Sequence, residues 1–202
     1  MAVFYHTREV IIISLNVFEL YAADYDQWFV DNTTTYLQEL NLIRRITGTI
    51  IHPSLEIGVG SARFAIPLNI SVGLEPSSAL SKITKKRGLE VYRGVGEYLP
   101  FQSAVFCSVI MVTVLCFLDD PIQTCSEIYR VLSPGGSLYL AFLEKDGLIE
   151  RKYSRNIEKG RFLSVARFYT RDDVAGIAIG AGFHPGNIRC KNGFCIQILN
   201  KI

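Results

Sequence analysis

The 202-residue chain is predicted to fold as one α/β domain with a mainly parallel, doubly wound sheet of seven strands that finishes in an antiparallel hairpin. Three observations predict it. From residue 54 onward short apolar runs alternate with helix-length amphipathic segments, and parallel strands need crossovers of that kind. "FCSVIMV" is apolar almost throughout, as in a strand covered on both faces. "NIRC" and "CIQILN" are joined by Lys-Asn-Gly-Phe, the type I′ hairpin signal.

Taken in order, the start is ambiguous: "VIIISLNVFEL" suits a strand or a buried helix, and periodicity does not separate the two. Residues 33–46 set Tyr36, Leu37, Leu40, Ile43 and Ile46 on one stripe, the spacing of an amphipathic helix. Then follow "SLEI" as a strand, "SARFAIPL" as a short helix, "ISVGLE" as a strand, and "SSALSKITKKRG" as a helix stopped by Gly88. After the strands "EVYRG" and "FCSVIMV", Asp120-Pro121 supplies an N-cap and first-turn proline for a helix with Ile122, Cys125, Tyr129 and Leu132 inward. "SLYLAF" is the next strand. Residues 145–171 hold eight basic residues against three acids, a local charge of +5, and read as a surface excursion. Thr170 opens the last helix, with Asp173 at the capping-box position and Gly182 as its stop.

Composition narrows the function. With 21 Lys+Arg against 19 Asp+Glu, charge gives no global pull toward nucleic acid or a membrane surface. The apolar segments 10–21 and 104–118 fall short of the roughly 20 residues of a membrane helix. Five cysteines, an odd number without zinc spacing or a preceding signal peptide, suggest a reducing cytoplasm and no metal site. Cys190 and Cys195 flank the hairpin turn and would face each other; in that compartment two packed thiols are expected rather than a bridge.

In doubly wound sheets ligands bind beyond the carboxyl ends of the strands. Gly58-Val59-Gly60-Ser61-Ala62 follows the first strand, where glycines let backbone approach a ligand, and Glu75 ends the second, placed to accept hydrogen bonds from a ribose diol. The nicotinamide fingerprint fits poorly: Arg63 stands in its third-glycine place, and Glu75 follows Gly58 by 17 residues. A P-loop is excluded, since no Lys-Ser/Thr pair follows the glycines.

With "LEIGVGSARFA" and "VGLEPS" go "RGVGEYLPF", "MVTVLCFLDDP", "YRVLSPGG" and "ARFYTRDDV" followed by "AGF". In this order and spacing, from about Tyr25 to Phe183, the chain resembles the class I S-adenosylmethionine-dependent methyltransferases, in the small form found in archaea and thermophilic bacteria. The resemblance implies a Rossmann-like sheet and S-adenosylmethionine as methyl donor, leaving S-adenosylhomocysteine. It implies that Gly58, Val59 and Gly60 line the methionine and ribose side, with Glu56 orienting the loop, and that Glu75 takes the ribose hydroxyls beside Pro76 near the adenine. Val95, Gly96 and Glu97 would surround the adenine edge, Met111 and Val112 the methionine moiety, and Tyr25 and Trp28 would close over the methyl. Four departures stand out. Ala62 replaces a third glycine, a change that a helix N-terminus tolerates; Val95 and Cys107 replace acids, which lowers the expected cofactor affinity; and Cys116-Phe117 stands where many relatives carry two histidines.

The resemblance divides one domain, 1–202, into an N-terminal helical lid (1–50), a cofactor core (51–144), a basic substrate-side excursion (145–169) and a C-terminal helix and hairpin (170–202). Methyl transfer is an in-line displacement whose leaving group the cofactor carries, so no nucleophile–base pair is required. None is found, and no catalytic residue is assigned: His6, His52 and His184 are isolated, and Tyr25, Tyr153 and Tyr169 are the candidates if a proton must leave. The acceptor is expected to be a small molecule, with the basic segment either a solvated lid or a grip for an anionic acceptor. The competing expectation is an inactive cofactor-binding partner or sensor domain.

Overall fold

The computed structural model describes residues 16–154 and 161–202, without the side chains of Tyr153 and Ser154. His6, Arg155, Glu158, Lys159 and most of the ambiguous apolar start lie outside the described residues, while residues 16–20 are helical. The strands are β1 (Ser54–Ile57), β2 (Val72–Leu74), β3 (Val91–Tyr92), β4 (Phe106–Val112), β5 (Leu132–Leu143), β6 (His184–Lys191) and β7 (Phe194–Asn200). They form one sheet of order β3-β2-β1-β4-β5-β7-β6, in which only the pairings of β7, with β5 and β6, are antiparallel. The topology reverses between β1 and β4, the place where such sheets hold ligands.

Alternate residues of β4 face opposite sides. Val109 and Met111 join a core with Leu138 and Leu140, closed by α4 (Pro121–Val131) and α6 (Arg171–Gly180) through Cys125, Ile128, Val174 and Ala178. Ile110 and Val112 join the other core, closed by α1 (Ala22–Asp31) and α2 (Thr33–Thr47) through Phe29, Leu40 and Ile43. The remaining helices are α3 (Ser78–Lys86) and the short α5 (Leu148–Ser154).

Several elements match their local chemistry. β4 has the bounds read from "FCSVIMV". The Asp120 side chain accepts from the Gln123 N–H to cap α4, with Pro121 in its first turn, and Thr170 and Asp173 form the capping box of α6. Asn192 and Gly193 adopt φ of 55° and 86°, as a type I′ turn demands.

Other readings are corrected. "SARFAIPL" is a succession of turns, because Ala62 sits at φ 64° and Pro67 has no N–H to continue a helix. Ala62 is thus an alanine held in the left-handed region, not a residue at a helix N-terminus. Leu37 on α2 and Ile122 on α4 are exposed, and Leu132 begins β5 rather than closing α4. Cys107 stands at the start of β4, its N–H bonded to the Pro53 carbonyl, at the opposite end of that strand from the glycine loop and without bearing on a ligand there. Cys190 and Cys195 form a disulfide: the hairpin register sets them directly opposite, with Cα atoms 4.0 Å apart.

Candidate functional site

The loop after β1 is built to stay open. Gly58 and Gly60 have φ of 63° and 57°, and each faces a close neighbour. A Cβ on Gly58 would lie 2.4 Å from a Val114 methyl, and one on Gly60 would lie 3.0 Å from the Tyr25 ring and hydroxyl. Side chains from three helices fix it. Thr84 of α3 donates to the Gly60 carbonyl at 2.7 Å, and Tyr36 of α2 donates to the Arg63 carbonyl at 2.6 Å. Asp26 of α1 binds Arg63 at 2.8 Å and Arg87, at the end of α3, at 2.7 Å, while Arg87 also donates to the Ser61 carbonyl.

Glu75 lies just past β2, buried. Its two carboxylate oxygens accept one backbone N–H each, from Gly60 and from Ser77, both at 2.8 Å. Burial pushes its pKa up to about 7, although these two bonds pull the other way. Glu56, within β1, is also buried, and its Oε2 has no hydrogen-bond partner among the described residues. Burial, and then the neighbouring Glu75 charge, holds its pKa well above the carboxylate range. Burial, and then the Glu75 and Glu56 carboxylates, push the Tyr25 hydroxyl pKa upward, so it stays protonated at neutral pH and is available as a hydrogen-bond donor.

Above this loop opens a cavity of about 260 Å³. One half of its wall comes from strand ends: Gly58, Gly60, Glu75, Pro76, Val95, Gly96, Glu97 and Val112, with Thr113, Val114, Phe117 and Leu118. The other half comes from the N-terminal helices and the segment after β5. Here lie Tyr25, Trp28, Phe29, Thr35 and Glu39, with Ile149, Lys152, Phe162 and Leu163, next to Phe64 from the turns after β1 and Leu143 at the end of β5. Phe18 closes the junction, its ring 5.4 Å from Tyr25, 5.0 Å from Phe117 and 5.3 Å from Phe162.

Ten of the thirteen residues singled out in the sequence therefore line this one cavity: Tyr25, Trp28, Gly58, Gly60, Glu75, Pro76, Val95, Gly96, Glu97 and Val112. Three are not on it. Met111 points to the α4 and α6 side of the sheet, Val59 packs over Gly73 in the opposite core, and Glu56 is buried within β1. The Glu97 carboxylate also has a local duty, accepting the Asp119 N–H at 3.2 Å ahead of α4. Tyr169, His52 and His184 are absent from the wall; His52 bonds Ser71 and Asn69 instead.

The missed wall residues include the aromatic side chains Phe18, Phe64, Phe117 and Phe162, from distant segments, and Glu39 of α2. Glu39 did leave a signal: it falls three residues after Tyr36 and four before Ile43, an acid on the apolar stripe. The basic excursion is partly spent on structure. Arg161 pairs with Asp24 and covers the Tyr21 ring, Arg171 pairs with Glu144, and Lys152 reaches the cavity.

A seven-stranded sheet with a reversed last strand and a glycine loop beneath a strand-end acid defines a Rossmann-like, class I methyltransferase architecture. Comparison agrees: residues 55–140 match the family model described as a methyltransferase domain. The chain belongs to the class I S-adenosylmethionine-dependent methyltransferase family. It is 35% identical over 169 residues to an uncharacterized protein of Methanocaldococcus jannaschii, covering 84% of this chain and 82% of that one. It is 34% identical to an uncharacterized protein of Mycobacterium tuberculosis, of whose length it spans 60%. A Thermotoga maritima structure described as a SAM-dependent methyltransferase, possible histamine N-methyltransferase, superposes with a TM-score of 0.85 at 30% identity, over 94% of this chain and 100% of that one. A Mesorhizobium loti S-adenosylmethionine-dependent methyltransferase, 12% identical with a TM-score of 0.64 over 80% of this chain and 96% of that one, shares the fold. Among the described residues no helix is long and apolar enough to cross a membrane.

Proposed function

We propose that this protein is a cytoplasmic enzyme that uses S-adenosylmethionine to methylate a small molecule held between the strand ends and the N-terminal helices. The observation that carries the reading is Glu75. A carboxylate buried at a strand end, with both oxygens already oriented by the N–H groups of Gly60 and Ser77, is prepared for a pair of vicinal hydroxyls.

The neighbouring residues fit the rest of the cofactor. Gly58 and Gly60 leave a cradle that a Cβ would fill, and Pro76, Val95 and Gly96 offer an apolar slot suited to a purine. The Glu75 carboxylate on the wall makes this end of the site favourable to a cation, as the sulfonium donor is. When bound, the cofactor supplies an electrophilic methyl with its leaving group attached. The chain's own part is to orient and to exclude water: Tyr25 lies over Gly60, and Phe18, Phe117 and Phe162 close the cavity with apolar rings. No side-chain base is assigned to the displacement itself, which does not need one.

The domain divides functionally into the lid, core, excursion and C-terminal hairpin read from the sequence, with α1, α2, α5 and the pair Phe162 and Leu163 supplying the acceptor side. The Thermotoga relative's description names histamine, which makes amines the first class to screen here. The test is calorimetry with S-adenosylhomocysteine followed by transfer of labelled methyl to a metabolite extract. Micromolar binding and a labelled small product support the reading. Absence of binding overturns it, and binding without any product points instead to a cofactor-sensing domain.

A further inference from the structure

The half of the cavity under α1, α2 and α5 is lined by Trp28 and Phe29 of α1, Phe64 of the turns after β1 and Phe162, with one carboxylate, Glu39, among them. Thr35, one helical turn earlier on α2, is on the same wall. Most other described carboxylates near the glycine loop are engaged: Asp26 by two arginines, Glu75 by two backbone N–H groups and Glu97 by the approach to α4. Glu39 has no hydrogen bond or ion pair among the described residues. Its charge nevertheless reaches the Tyr25 hydroxyl over Gly60, so it shares one low-dielectric space with the place proposed for the cofactor.

Resting on the methyltransferase reading above, we infer that Glu39 is the recognition group for the acceptor, and that the acceptor is an amine carried on an aromatic or apolar body. An ammonium among aromatic rings gains from their faces, the carboxylate supplies the charge-assisted hydrogen bond that fixes its direction, and one N–H proton passes to that carboxylate before the freed nitrogen lone pair attacks the sulfonium methyl, displacing the thioether. A carboxylate or phosphate acceptor offers Glu39 no opposite charge to pair with, and it would meet the ionised group as a like charge. Among the described cations of the basic segment only Lys152 reaches the wall, whereas Arg161 and Arg171 are paired elsewhere. The amine is therefore taken over the anionic acceptor expected from that segment, and an acid probe tests the choice. The state of the unliganded group agrees: with nothing to hold its charge, burial pushes the Glu39 carboxyl up to about 8, and an arriving cation reverses that cost.

The test uses protein saturated with S-adenosylhomocysteine and three probes of similar shape: phenethylamine, 3-phenylpropionate and 3-phenylpropan-1-ol. The amine is expected to bind at least tenfold more tightly than the acid or the alcohol. Glu39→Gln is expected to remove that preference, weakening the amine at least tenfold while leaving S-adenosylhomocysteine affinity within twofold. Equal binding of acid and amine, binding of none of the three, or an unchanged preference in Glu39→Gln overturns the inference. Failure of S-adenosylhomocysteine itself to bind overturns the methyltransferase reading, a separate outcome read in the first titration.

Discussion

Replacing Glu75 by glutamine isolates the charge of the strand-end acid at nearly constant shape. In the native chain both oxygens accept at 2.8 Å, from Gly60 and Ser77. The amide keeps one acceptor for one of these N–H groups and turns its NH₂ against the other. Two ribose hydroxyls would then lose an ionised acceptor; at roughly 1 to 1.5 kcal/mol for each charged bond made neutral, the cost is about 2 to 3 kcal/mol, or about 30- to 150-fold in affinity. Titration calorimetry with S-adenosylhomocysteine measures it. A second signature comes from the Glu75 pKa of about 7, raised by burial. Hydroxyl donors favour the ionised form, so binding at pH 7 should release about half a proton, visible as a buffer-dependent enthalpy, and Glu75→Gln should lose that release. A loss under threefold, with no change in proton release, would refute the assignment.

Three further outcomes follow from the scaffold. For Asp26, burial by itself would raise the pKa, but hydrogen bonds from Arg87 and Arg63 outweigh it and hold the folded value below the unfolded one. Its stabilisation is therefore complete above about pH 5 and lost as pH falls through the folded value; with side chains 20–27% exposed, Asp26→Asn should cost about 2 kcal/mol at pH 7 in urea unfolding, and a deficit that does not shrink in acid would contradict this. Gly58→Ala combines φ of 63° with a Cβ 2.4 Å from a Val114 methyl, so it should lose about 2 to 3 kcal/mol and most cofactor affinity, and near-native stability would show that the loop yields easily. Opening the Cys190–Cys195 link by the double change to serine should lower stability by about 2 kcal/mol, the loop-closure value for so short a ring, without altering S-adenosylhomocysteine binding; thermal unfolding with and without reductant checks it.

What was legible in the sequence was whatever local chemistry determines alone. Strand β4, the caps of α4 and α6 and the Asn192-Gly193 turn each depend on a few adjacent residues. The run 61–69 misled because helix-forming residues were outvoted by the left-handed Ala62 and by Pro67. Leu37 and Ile122 misled because an apolar residue at the rim of a stripe need not be covered. At the site, the strand-end wall was readable since sheet topology brings those positions together, although Met111 pointed to the other face by the strand's own alternation. The opposite wall was readable only at Tyr25 and Trp28, because Phe18, Glu39 and Phe162 come from three separate segments and meet only through tertiary packing.

The most direct measurement is a crystal structure of the chain grown with S-adenosylhomocysteine. The account predicts both ribose hydroxyls within hydrogen-bond distance of the Glu75 carboxylate, the purine against Pro76 and Val95, and the thioether sulfur facing the cavity half that holds Trp28 and Glu39. A cofactor bound away from Glu75, or a cavity left empty at saturating concentration, would contradict it.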